Sequence, residues 1–132
     1  MPNQAIAEDS VDLLMWRAAD LQQQDKWLHA VQIYRRVIDE YPTHTPAYVY
    51  LASIFASRDQ SRAAQDILRM GLIQCPDDPK LNLMLGNIHL TDGDFDRAVT
   101  QYRNVLKHDH GNSKALHNIG LALARSGRNA EA

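Results

Sequence analysis

The chain has 132 residues and a net charge of −2 at pH 7, so no basic footprint marks it for nucleic acid. Its longest apolar stretch, Ala47 to Ala56, falls short of the ~18 residues that suggest a membrane span, and Met1 to Ser10 lacks the basic leader and apolar block of a secretory signal. Cys75 is the only cysteine, which excludes an internal disulfide and makes the cytoplasm the expected compartment.

Met1 to Ser10 reads as a flexible arm. Beyond it seven helices are expected, over about 10–24, 27–41, 45–58, 60–74, 79–92, 95–108 and 113–126. Thr45-Pro46 and Asp78-Pro79 each place a capping oxygen before a proline. A proline's fixed φ and missing N–H suit the first helical position, so two helices are expected to start there. Asp25, Asp59, Gly93 and Gly127 stand at the turns between paired helices, where Gly93 and Gly127 adopt a positive φ at little cost. Gly71 falls inside a helix, at a cost of about 1 kcal/mol against alanine, and implies a close backbone contact.

Ala30, Ala64, Ala98 and Ala132 recur every 34 residues, with Tyr34, Leu68 and Tyr102 four positions after the first three. Pro42 and Pro76 follow twelve positions after the first two. The repeating blocks are 11–44, 45–78, 79–112 and a truncated 113–132. Small residues at Ala18, Ala52 and Gly86, together with the alanine column, let helices approach to about 8 Å. This period, with alanine, a large apolar residue and proline in fixed order, resembles the tetratricopeptide repeat family. The resemblance implies an all-α fold over 11–132, a right-handed superhelical solenoid of antiparallel helix hairpins with about three and a half repeats. Arg17, Asn82, His89 and His110 depart from the family pattern, which makes the third block the least regular. Arg128 to Ala132 reads as the opening of a second helix, so the chain is expected to be a fragment of a larger protein.

In that family the first helix of each hairpin lines a concave groove. Carried over by register, the inward rows are Met15, Val49, Leu83, His117 and Trp16, Tyr50, Met84, Asn118. The deeper rows are Ala19, Ser53, Asn87, Leu121 and Gln22, Ala56, Leu90, Ala124. The expected partner-binding residues are Met15, Trp16, Val49, Tyr50, Ser53, Leu83, Asn87, Leu90, His117 and Asn118. Their mostly apolar character suits an apolar or amphipathic protein segment, with Lys80, Lys114 and Arg125 on the same side. A subgroup of the family clamps acidic chaperone tails with lysine, asparagine and arginine. Here the clamp positions fall on Met15, Ala19, Tyr50, Lys80 and Met84, of which only Lys80 fits; from the third block Asn87 and Asn118 fit, with Leu83 in place of the lysine.

The expected function is therefore a non-catalytic protein-interaction scaffold. The alternative is a substrate-docking or regulatory arm of a larger enzyme such as a transferase. No nucleophile elbow, phosphate loop or H-E-x-x-H is present, so no catalytic residue and no cofactor is expected. His108-Asp109-His110 reads as a solvated helix end rather than a metal site, because residues two apart on a helix do not face together. Weak self-association is expected through Leu116, Ile119 and Leu123.

Overall fold

The computed structural model describes residues 10–131, the side chains of 128–131 excepted. Apart from Ser10, the expected arm lies outside the described residues, as does Ala132. Among the described residues there are seven helices and no strand: α1 (Val11–Gln23), α2 (Trp27–Glu40), α3 (Thr45–Ser57), α4 (Ser61–Gln74), α5 (Pro79–Thr91), α6 (Phe95–His108) and α7 (Ser113–Glu131). Each packs against the next, and α3 also lies against α5, and α5 against α7. No comparable contact joins α2 to α4 or α4 to α6. The first helices of the later hairpins, α3, α5 and α7, thus line up along one side, while no contact of that size joins α1 to α3.

Local chemistry explains the boundaries. Ser10 Oγ accepts from the Leu13 N–H at 3.3 Å to cap α1, and Asp78 Oδ1 accepts from the Leu81 N–H at 3.0 Å to cap α5. Pro79 is the first residue of α5, as its fixed φ favours. Thr45 behaves differently from expectation. It lies inside α3, and His44 occupies the cap position without a side-chain bond, so Pro46 alone sets that start. The turns at Asp25 and Asp59 have φ of 61°, and Gly93 has 82°, which places all three in the left-handed region. Gly127 does not join them, and α7 runs through it to Glu131. A hairpin turn is held by the second helix packing back on the first. Among the described residues no helix packs back on α7 after Gly127, and the backbone there stays helical.

Two clusters fill the interior. The larger runs from Leu14 to Ile88 and the smaller joins Leu90, Ala98, Val99, Tyr102, Val105, Ala115 and Ala122. The periodic alanines sit at the hairpin contacts, with Ala30, Ala64 and Ala98 fully buried. Gly86 is required by Tyr102, whose ring carbons would lie 2.7–3.1 Å from an added Cβ. Gly71 has the same role under Tyr48, at 2.9 Å, which is the close contact its helical position implies.

Asn82 shows how a departure from the repeat is accommodated. Tyr48, one repeat earlier, donates its hydroxyl to the Pro42 carbonyl at 2.7 Å. Asn82 stands 34 residues on and donates its amide to the equivalent Pro76 carbonyl and to the Asp78 carbonyl, both at 3.1 Å. A buried amide so paired costs little. His89 is not so well matched. Its ring is 2% exposed, and Nδ1 has no hydrogen-bond partner.

Burial lowers the His89 pKa, with Arg69 and Arg97 adding to the effect and Asp94 and Asp92 opposing it. The folded protein therefore keeps the ring neutral at a pH where the unfolded chain, at about 6.5, already takes the proton. The stability linked to this group is complete above that pH and is lost progressively as pH falls below it. Urea midpoints should fall between pH 7.5 and 5.5, and His89→Phe should flatten that dependence. A midpoint unchanged by the substitution across this range would contradict the burial.

Candidate functional site

The inner face is built by α1, α3, α5 and α7, whose turns recur at three and four residues so that one side of each helix points into the curve. Trp16 on α1 and Tyr50 on α3 are repeat equivalents, and they are 63% and 49% exposed. Two large aromatic side chains thus stand open on neighbouring inner helices. Tyr50 is held in place by stacking on Tyr34, ring centroids 5.9 Å apart at 20°. Met15, Val49 and Met84 are half-buried against the larger cluster, and Leu83 is half-buried against the smaller one. Each therefore packs into the solenoid with one side and leaves the other open.

A polar seam continues this face toward α7. Asn87 Oδ1 accepts from the Tyr102 hydroxyl at 2.6 Å and from Asn118 Nδ2 at 3.0 Å, which ties α5, α6 and α7 at one atom. On the first repeat Tyr34 likewise donates to Gln22 Oε1 at 2.5 Å. Burial pushes both phenols up to about 12, so they remain protonated donors. Ser53 is half-buried and His117 is exposed. Lys80, Lys114 and Arg125 are also exposed.

One expected groove residue is placed elsewhere. Leu90 is 9% exposed and belongs to the smaller core with Ala98, Val99 and Ala122, so it offers no binding surface. Burying a leucine is worth about 1.5–3 kcal/mol, which outweighs its formal place in the row of Gln22, Ala56 and Ala124. His108 Nε2 lies 3.3 Å from Asp77 Oδ1, an inter-repeat pair at the helix end. Among the described residues, no three of His, Cys, Asp and Glu gather as a metal site would require.

The sequence reading also missed two hollows where successive repeats meet. The first, of about 350 Å³, is lined by Gln22, Asp25, Trp27, Ser53, Ile54, Ser57 and Arg58. The second, of about 490 Å³, is lined by Ala56, Ser57, Asp59, Ser61, Met84, Asn87, Ile88, Thr91 and Asp92. Every residue of the first has its counterpart, 34 positions on, in the second. The signal in the sequence is the column Trp27, Ser61, Phe95, which loses its aromatic residue in the middle repeat.

The tetratricopeptide repeat family matches residues 12–44 and 83–132. Among solved structures, the MamA protein superposes with a TM-score of 0.76 at 21% identity, over 96% of this chain and 69% of that one. The first TPR of Spaghetti (RPAP3), bound to the HSP90 peptide SRMEEVD, gives 0.76 at 16% identity over 87% and 91%. The Sgt2 TPR domain from Aspergillus fumigatus gives 0.78 at 13% over 92% and 82%. No curated protein matches this chain. The class is that of helical-hairpin solenoids. The chain belongs to the tetratricopeptide repeat family, with about three and a half repeats.

Proposed function

We propose that this chain is a non-catalytic scaffold that holds an apolar or amphipathic protein segment along its inner face. The observation that carries this reading is the open pair Trp16 and Tyr50, flanked by half-buried Met15, Val49 and Leu83. Exposed aromatic residues beside apolar neighbours are what anchors a partner's side chains, and such positions dominate interface energies. Ser53, Asn87, His117 and Asn118 add the polar contacts that orient the segment.

A similar domain in RPAP3 binds the HSP90 peptide SRMEEVD, which supports peptide recognition by this architecture. Recognition of an acidic tail has less support here, since Met15, Ala19, Tyr50 and Met84 stand where a clamp would carry polar and basic groups. Among the described residues, no helix is long and apolar enough to cross a membrane. A cytoplasmic location and a protein partner, with no nucleic acid and no cofactor, complete the reading. The same groove serves if the chain is the docking arm of a larger enzyme, and the full open reading frame separates the two cases.

A pull-down with this domain as bait identifies the partner, and substitution tests the groove. Leu83→Glu should lower affinity at least tenfold, about 1.4 kcal/mol, with the helical spectrum intact. Lys80→Ala should do less. Equal affinity for the Leu83 variant and the parent would refute the groove. Weak self-association through α7 belongs to the same reading, because Leu116 and Leu123 are half exposed. Sedimentation at rising concentration should show it, and Leu123→Lys should abolish it; a monomer throughout would refute it.

A further inference from the structure

The two repeat-equivalent hollows differ in a way that suggests what enters the second. In the first, the chain supplies its own occupants: the Arg58 guanidinium lies over the Trp27 ring, 3.8 Å from its centroid. An arginine on an aromatic face is a favourable arrangement of cation and ring quadrupole. At the matching positions of the second hollow stand Ser61 and Asp92. The ring is missing and the cation is replaced by an anion.

What remains is a hollow of about 490 Å³, within the range that takes small-molecule or side-chain ligands. Ala56, Met84 and Ile88 give it apolar walls, and Asp59 and Asp92 stand at its rim. Asp92 is held in position, since Ser61 Oγ donates to its Oδ2 and Gln65 Nε2 donates to the same oxygen at 3.1 Å. Both bonds use Oδ2, which leaves Oδ1 for a further donor. The Asp59 carboxylate has no hydrogen bond or ion pair among the described residues, while its backbone N–H donates to the Ala56 carbonyl at 3.3 Å and its φ of 61° fixes it in the turn. Two carboxylates beside an apolar hollow complement an arginine, whose planar fork pairs with carboxylate oxygens while its stem lies on apolar surface.

We infer that this second hollow is a receptor for an arginine side chain next to a tryptophan or phenylalanine on a partner polypeptide. The partner would fill, from outside, the places that Arg58 and Trp27 fill from within. This deepens the groove reading above and rests on it, because the hollow shares Met84 and Asn87 with the inner face. It also sets a polarity for the bound segment, with its basic residue at the turn edge of α3 and α5.

The test uses two probes, N-acetyl-Trp-Arg-amide and N-acetyl-Trp-Glu-amide, titrated into the isotope-labelled domain and followed by amide shifts. The arginine probe should bind at least tenfold more tightly, with shifts centred on Ser61, Met84, Ile88 and Asp92. Asp59→Asn with Asp92→Asn should bring it down to the level of the glutamate probe. Ser61→Trp with Asp92→Arg transplants the occupants of the first hollow and should abolish binding of both probes. The helical spectrum shows that each variant is folded, and the asparagine pair keeps the test decisive if the bulkier pair is not. Equal binding of the two probes, no binding, or shifts centred elsewhere would overturn the inference. Such a result would leave the groove reading standing if Leu83→Glu still weakens the partner found by pull-down.

Discussion

Tyr102→Ala is expected to cost about 3–5 kcal/mol, in line with truncating a large buried aromatic residue. The ring is fully buried, lies directly on the Gly86 backbone and is the largest member of the smaller core. A domain of this size is stable by only about 5–15 kcal/mol, so the loss is a large share of the total. Because repeats contact only their neighbours, the damage should fall first on α5, α6 and α7, and denaturant unfolding should become broader or split into two phases. Tyr102→Phe separates the ring from the hydroxyl. It removes the hydroxyl's bond to Asn87 Oδ1, and since Asn87 is exposed to water the cost should be about 1 kcal/mol or less. If the alanine variant lost no more than the phenylalanine variant, Tyr102 would not be the centre of that core.

The second large effect is expected at Ala64, which is fully buried where α4 packs within the second hairpin. Leucine there adds three heavy atoms to a filled contact and should cost about 1–3 kcal/mol through displaced side chains and separated helices. Urea unfolding of Ala64→Leu beside the parent gives the number. Unchanged stability would mean that the 34-residue register is misassigned.

The scaffold was legible because its alanine column and its turn residues answer to strong, local constraints. Ala30, Ala64 and Ala98 are fully buried, and Asp25, Asp59 and Gly93 take the positive φ their places require. Gly127 was not legible, because a turn between packed helices depends on the second helix as much as on the glycine. Leu90 was misplaced for a related reason: register assigns a direction, but a leucine near a core opening is drawn into it. Asn82 departs from the repeat pattern in residue type, yet its amide bonds the proline carbonyl equivalent to the one Tyr48 reaches in the previous repeat. Register places Trp16 and Tyr50 on first helices of their hairpins, and both side chains are exposed. The hollows did not follow from register, since they are defined by what is missing at Ser61 rather than by a residue that announces a site.

On the proposed reading, apolar contact rather than charge drives recognition by the inner face. The most direct measurement is the affinity for the identified partner between low and high salt, with the heat capacity change of binding followed by calorimetry. Burial of Trp16, Tyr50 and Leu83 predicts a negative heat capacity change and a modest salt dependence, because apolar burial is not screened as exposed charges are. An affinity that collapses with salt and depends chiefly on Lys80, Lys114 or Arg125 would rule out apolar recognition and favour an electrostatic clamp.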